Sequence, residues 1–365
     1  MLILSLETSC DETSVAVVRG GREVLSNVIA SQIAKHTETG GVVPEVAARE
    51  HITAMIPVLR QALAEAGVDW SAVDAIAVTK EPGLIGSLVV GRVTAAALAF
   101  ALDKPLIEVN HIHGHMYSTW LLGEDLTEPL PEYPILVLTV SGGHNELVLL
   151  SGPGQFTLLA ETVDDAAGEA FDKVARLLGL GYPGGPIIEK RAKLGNAKAV
   201  PFPIGLPREN NFSFSGLKTA VLYYLQENED KMADEAFIND TAASFQSAAT
   251  EALVLKLMRA LETHKVKEVH LTGGVSANSF LRQRIEMELA KLDEAPLFRH
   301  PKRMSYCTDN AAMIAAAATF MRGGLMRGAG IGSSLRALRA ARPSLTSSGS
   351  SYSCASTLQS VVFVL

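Results

Sequence analysis

Leu2-Ile3-Leu4-Ser5-Leu6, Glu7-Thr8-Ser9-Cys10-Asp11-Glu12-Thr13, Ser14-Val15-Ala16-Val17-Val18, Arg19-Gly20-Gly21-Arg22 and Glu23-Val24-Leu25-Ser26 read in turn as strand, polar loop, strand, glycine turn and strand. Short β-favouring runs broken by glycine and polar clusters predict an antiparallel meander. The order returns at 135–161, with Ile135 to Val140, Ser141-Gly142-Gly143-His144, Asn145 to Leu150, Ser151 to Gly154 and Gln155 to Glu161. Each meander is followed by helical patterns and one more apolar strand, Ala75-Ile76-Ala77-Val78 in the first half and Glu268-Val269-His270-Leu271 in the second. A repeat of this size, with strands alternating with helices, predicts an α/β chain of two like domains facing each other across a cleft.

This layout resembles the actin, Hsp70 and sugar-kinase superfamily, in which two duplicated ribonuclease-H-like domains clasp a nucleotide. The expected boundaries are a first lobe over 1–133, a second over 134–325 and a C-terminal extension over 326–365. Glycine-rich loops fall where helices are expected to begin, at Thr39 to Glu45, Tyr182 to Pro186 and Gly273 to Asn278, while Ser141 to His144 joins two strands. Glycine lets backbone amides close on a phosphate, and a helix N-terminus adds a favourable dipole. None of the four is a P-loop or the Gly-x-Gly-x-x-Gly dinucleotide fingerprint.

At 365 residues, 48% hydrophobic and 19% charged, the chain has the composition of a folded globular protein with room for two cores. No signal peptide is read before Leu2, and the apolar runs are too short to span a bilayer, so no membrane association is expected. Cys10, Cys307 and Cys354 are odd in number and widely spaced, which fits a reducing compartment, the cytoplasm. Net charge is −7, and because 322–365 holds five arginines and no acid, 27 basic groups face 39 acidic ones in the rest. Contact with nucleic acid would need local patches, for which Lys190, Arg191, Lys193 and Lys198 form one candidate and Arg299, His300, Lys302 and Arg303 another. Solvated faces are the plainer reading of both.

The chemistry is concentrated in Asn110-His111-Ile112-His113-Gly114-His115, three of nine histidines in five residues. Imidazole is the commonest protein ligand for transition metals. On a strand all three would share a face; on a helix His111 and His115 would share one and His113 would point away. A helix is favoured, because no breaker follows and Asn110 can cap it. Taken alone, Asp309 reads as the N-cap of the alanine-rich helix that follows.

Glu7-Thr-Ser-Cys-Asp-Glu-Thr13, Gly40-Gly-Val-Val-Pro-Glu45, Asn110 to His115, Val140-Ser-Gly-Gly-His144, Asp164 to Lys173, Tyr182-Pro-Gly-Gly-Pro186, Phe212 to Thr219, Gly273 to Asn278 and Cys307-Thr-Asp-Asn310 stand in the order of one family. From residue 1 to about 322 the chain resembles the bacterial tRNA threonylcarbamoyladenosine transferases, formerly described as O-sialoglycoprotein endopeptidases. The resemblance implies transfer of a threonylcarbamoyl group from threonylcarbamoyl-AMP to N6 of the adenosine beside the anticodon, position 37, in tRNAs reading codons that begin with A. It implies donor contacts at Thr139, Val140, Ser141, Gly142, Gly143, Asp172, Gly185, Glu189 and Asn278, and metal ligands at His111, His115 and Asp309. It also implies two protein partners, a shorter bacterial paralogue and a small P-loop ATPase.

Physically, Asn278 could offer its amide to adenine or ribose, and Asp172 could accept from ribose hydroxyls or the threonyl amine. Glu189 could equally pair with Lys190 and Arg191. Asp11 and Glu12 are candidates for handling the proton. Phe212 to Thr219 shows no derivable chemistry, and its Phe212-x-Phe214 pattern reads equally well as core. Two imidazoles and a carboxylate leave coordination positions open, the pattern associated with Fe(2+), though Zn(2+) also accepts it. The rival readings are a metal-dependent glycoprotein endopeptidase, an ATPase or kinase of the same fold, and a catalytically silent scaffold. The first lacks the His-Glu-x-x-His glutamate between His111 and His115, and the last would be expected to lack the histidine pair. Residues 326–365 read as a disordered or aberrant extension whose arginines could touch RNA.

Overall fold

A computed structural model describes residues 1–39 and 41–321, so Gly40 and the expectations for 326–365 lie outside the described residues. Two compact units emerge. Among the described residues the first comprises Met1–Gln32, Val42–Leu126 and 309–321; the second comprises Ile33–Gly41 and Thr127–Thr308.

In the first unit β1 (Leu2–Glu7), β2 (Glu12–Arg19) and β3 (Glu23–Ser31) form the expected meander. After α1 (Ile33–Thr39), which groups with the second unit, come α2 (Pro44–Ala66), β4 (Ala75–Glu81), α3 (Ile85–Ala101), β5 (Leu106–Asn110) and α4 (His111–Tyr117). The strands lie in the order β3-β2-β1-β4-β5, with β4 and β5 parallel to β1. Alternation along β1 gives its two faces different partners. Leu4 and Leu6 enter a core with Val15, Val17, Met55, Leu59 and Leu98, whereas on the other face the Ser5 hydroxyl donates to the Ala311 carbonyl at 2.6 Å.

The second unit repeats the plan. β6 (Ile135–Val140), β7 (Asn145–Gly152) and β8 (Gln155–Glu161) are followed by α5 (Ala167–Leu177), α6 (Gly184–Ala192), α7 (Ser215–Glu227), α8 (Glu235–Thr263), β9 (Glu268–Thr272), α9 (Ser279–Leu289) and β10 (Leu297–Arg299). The strand order is β10-β9-β6-β7-β8, with β9 parallel to β6 and β10 parallel to β9. Each sheet is thus an antiparallel meander extended by two parallel strands. Phe212 and Phe214 are fully buried in this unit's core, which decides between the two readings of the Phe-x-Phe pattern in favour of core.

The last described helix, α10 (Ala311–Phe320), returns to the first unit. The sequence boundaries assign Asp309 to the second lobe, but here it groups with the first. The cause is packing: residues 311–318 of α10 are almost completely buried, six of the eight are alanine, and small side chains permit close approach. α10 lies against α4 so tightly that a Cβ on Gly114 would come within 2.7 Å of the Ile314 side chain.

Candidate metal and donor-binding sites

Asn110 caps α4 as expected, its side-chain oxygen accepting from the backbone N–H of Ile112 at 2.9 Å and of His113 at 3.2 Å. Helical phase then puts His111 and His115 together, with ring centroids 4.7 Å apart and planes nearly perpendicular. Asp309 is not the N-cap of α10; Asn310 is, accepting from Met313 N–H at 3.1 Å. That leaves the Asp309 carboxylate to approach His115 Nε2 at 3.1 Å and His111 Nε2 at 3.5 Å. One ligand atom from each of the three falls within 4.8 Å of the others, and His113 is not among them.

These three residues fit a metal ion. His115 is wholly buried, yet among the described residues neither of its ring nitrogens makes a hydrogen bond, and the approach to Asp309 lacks hydrogen-bond alignment. An unsatisfied buried polar group costs about 1–3 kcal/mol, so a ligand for it is the economical explanation. With metal–ligand bonds of about 2.1 Å, neighbouring ligand atoms lie roughly 3.0–3.4 Å apart, close to the two approaches seen.

Around this group sit acids that the sequence pattern does not connect. Glu7, at the end of β1, is fully buried; its Oε2 lies 3.2 Å from His111 Nδ1 and accepts from the Thr79 hydroxyl, and its Oε1 accepts from Ser9 N–H. Burial pushes the Glu7 carboxyl up, but the His111 ring beside it outweighs this and holds it below the usual range. Burial opposes protonation of His111 in turn, while Asp309 and then Glu7 raise it to about 9. Glu12 is pushed up to about 10 by burial and by the charges of Asp309 and Asp11, so without a bound cation it is a neutral acid at pH 7. Burial likewise raises the Cys10 thiol, which is no nucleophile at neutral pH. His51 of α2 anchors this loop, with Nε2–H donating to the Cys10 carbonyl at 3.0 Å and Nδ1 accepting from Thr13 at 2.8 Å.

The loops of the second unit are built for close backbone approach. Gly168, in the first turn of α5, donates its N–H to the Ser141 carbonyl at 3.2 Å, and a Cβ there would come within 2.6 Å of that oxygen. Gly273 has φ +84, and a Cβ there would strike the Val140 carbonyl at 2.4 Å. Gly142, Gly143 and Gly185, by contrast, have nothing within 4 Å of a would-be Cβ. Thr139 is buried and shares a 3.0 Å hydrogen bond with Thr272. Asp172 accepts from Gly184 N–H at 2.7 Å, fixing the start of α6.

Glu189 does not pair with Lys190 or Arg191 in the contacts found; it accepts from Ser279 N–H at 3.1 Å and pairs with Lys193 at 3.1 Å. Burial works against its ionisation, but the Ser279 and Lys193 bonds keep its carboxyl below the ordinary value. The Asn278 amide, expected to be on offer to a base or sugar, donates to Gln246 at 2.8 Å, while its oxygen caps α9 at Leu281 N–H. Asp164 and Asp165 bind the Phe212–Thr219 segment, at Phe214 N–H (2.8 Å) and Lys218 (2.7 Å) respectively, a link between two motifs that spacing does not reveal.

Of the basic patches, the second is largely neutralised. Arg299 is buried against Glu268 at 2.5 Å and pairs with Glu128, which also holds Lys302 at 2.9 Å. In the first, Arg191 pairs with Glu235 and Lys193 with Glu189.

The family model described as tRNA N6-adenosine threonylcarbamoyltransferase matches residues 23–316. A protein of that name from Symbiobacterium thermophilum is 51% identical over 329 residues, covering 88% of this chain and 91% of its own. One from Bacillus subtilis is 49% identical over 321 residues, covering 87% and 90%. Among solved structures, HypF of T. kodakarensis superposes with a TM-score of 0.58 at 17% identity, covering 88% of this chain and 48% of the other, a likeness of fold. The two five-stranded sheets share one strand plan, and the likeness to HypF is to an α/β fold of the kind expected from the duplicated meanders.

Proposed function

The chain belongs to the tRNA N6-adenosine threonylcarbamoyltransferase family, and from that premise we propose that it takes threonylcarbamoyl-AMP as donor and modifies the adenosine at position 37 of tRNAs reading codons that begin with A. The observation that carries the reading is the convergence of His111, His115 and Asp309, from segments almost two hundred residues apart, in a chain half identical to enzymes of that name.

The reaction is acyl transfer. The adenosine N6 forms a bond to the carbamoyl carbon, the bond from that carbon to the AMP phosphate oxygen breaks, AMP leaves with the electron pair, and one proton departs from N6. In the second unit, Thr139 to Gly143, Asp172, Gly185, Glu189 and Asn278 form the proposed donor subsite, where open backbone at Gly142, Gly143 and Gly185 suits phosphate oxygens. Asp172, Glu189 and Asn278 act there by holding the loops in place. In the first unit His111, His115 and Asp309 would hold one divalent cation, Fe(2+) in our reading with Zn(2+) as the alternative, which supplies Lewis acidity and a template for donor oxygens. Asp11 and Glu12 are the proposed groups for handling the N6 proton.

The endopeptidase reading lacks the His-Glu-x-x-His glutamate between His111 and His115, and the buried Glu7 lies behind His111 on its Nδ1 side. No described helix is long and apolar enough to cross a membrane, and Cys10 and Cys307 are unpaired, in keeping with a cytoplasmic place of action. α3 exposes Ile85, Val89, Val93 and Phe100 along one face, an apolar stripe suited to the shorter paralogue expected as partner; the small ATPase is the second. Val93→Asp should abolish co-elution with that paralogue while leaving the melting temperature within a degree or two, and retained co-elution would clear the stripe of this role. The proposed activity is tested by incubating the chain, its partners, metal and synthetic threonylcarbamoyl-AMP with unmodified tRNA and digesting the product for mass spectrometry. Modification at a position other than 37 would refute the assignment of the target.

A further inference from the structure

We propose that Glu7 is a positioning residue of the metal centre: its carboxylate keeps the His111 proton on Nδ1 and thereby presents Nε2 to the cation. The inference rests on reading His111, His115 and Asp309 as ligands.

A neutral imidazole carries one proton, and the nitrogen that bears it cannot bind metal. His111 Nδ1 lies 3.2 Å from Glu7 Oε2 and 3.1 Å from the Ser9 hydroxyl, while Nε2 is the atom directed at Asp309, 3.5 Å away. A carboxylate accepting from Nδ1–H therefore selects the tautomer in which Nε2 has a free lone pair. His115 Nδ1 makes no hydrogen bond among the described residues, so His111 is the ligand whose orientation the protein sets in advance.

Glu7 is itself held rigidly. It is fully buried, Ser9 N–H and the Thr79 hydroxyl donate to its two oxygens, and no lysine or arginine is among its hydrogen-bond or ion-pair partners found in the structure. Were its task only to tie strand ends, a neutral amide would serve at less desolvation cost. A buried carboxylate against the rear of a ligand imidazole has a further use, to orient the ring and raise its basicity.

The test is a double-mutant cycle read as Zn(2+) affinity, by competition with a chromophoric chelator on the full chain, with folding followed by circular dichroism. Glu7→Gln should weaken Zn(2+) binding about 10–100-fold in the wild-type background and less than about 3-fold in a His111→Ala background. Equal affinity in Glu7→Gln and wild type, or the same loss in both backgrounds, would overturn the proposal. A wild-type chain that binds no Zn(2+) would instead remove the metal site on which it rests. Should Glu7→Gln not fold, nitrogen-15 NMR of histidine-labelled, Zn(2+)-loaded wild type decides: the His111 proton is expected on Nδ1, and a proton on Nε2 contradicts the proposal.

Discussion

Two glycines in the second unit separate a loop that cradles a ligand from one that merely turns. Gly142 has nothing within 4 Å of an added Cβ, so Gly142→Ala should change stability by no more than about 0.5 kcal/mol. If the amides of this loop close on the donor phosphate, the new methyl occupies ligand space, and KM for threonylcarbamoyl-AMP should rise at least roughly tenfold. Gly168→Ala acts from behind the loop. Its Cβ would stand 2.6 Å from the Ser141 oxygen and 2.8 Å from Gly142 Cα, against ordinary contacts of 3.4 Å or more, so the loop must retreat by about 0.8 Å. Overpacking of about 1–3 kcal/mol, offset by the roughly 1 kcal/mol alanine gains over glycine in a helix, leaves a net loss of up to about 2 kcal/mol. A shift of that size in a positioning loop should cost about 10–100-fold in kcat/KM. Thermal melts and initial rates at saturating tRNA measure both. Wild-type KM in Gly142→Ala, with unchanged stability, would show that the loop does not hold the donor.

Asp309→Asn and His115→Ala should each abolish saturable Zn(2+) binding in the micromolar range, and a chelator should lower the melting temperature of wild type but not of either variant. His51→Leu removes both bonds that anchor the loop before Asp11, and urea titration should show a loss of about 1–3 kcal/mol together with a fall in kcat; an unchanged kcat would separate this loop from the chemistry. Burial acts to raise the Glu268 carboxyl, but bonds from His270 and Arg299 outweigh it and hold it at about 2, and Glu268 is only 3% exposed. Its folded value is depressed, so it contributes roughly 3 kcal/mol that is present above about pH 4.5 and fades as pH falls towards 2. Glu268→Gln should therefore destabilise strongly at pH 7 and much less at pH 3 by urea unfolding; equal penalties would contradict the linkage.

What could be read from the sequence followed its periodicities. The alternation in Leu2 to Ser26 and again in Ile135 to Glu161 exposed both meanders, and Asn110 before three histidines indicated a capped helix with His111 and His115 on one side. Short parallel strands such as Leu297–Arg299 carry no pattern long enough to register, because three residues span little more than one alternation. Asp309 and Asn310 are both good caps by type, and only the docking of α10 on α4 assigns the cap to Asn310 and leaves Asp309 to the histidines. Glu7 was invisible as a partner of His111 because 104 residues and a parallel crossover separate them. Asn278 carries a role that its place on a glycine-rich turn does not reveal, capping its own helix through the side-chain oxygen.

The central claim joins a transfer activity to a three-residue metal group. It is tested most directly by measuring N6-threonylcarbamoyladenosine formed on tRNA from threonylcarbamoyl-AMP by the metal-loaded chain with its partners, wild type against Asp309→Asn. The account predicts product from wild type and at least about a hundredfold less from the variant, at equal folded concentration. No product from metal-replete wild type, or equal product from both, would contradict it.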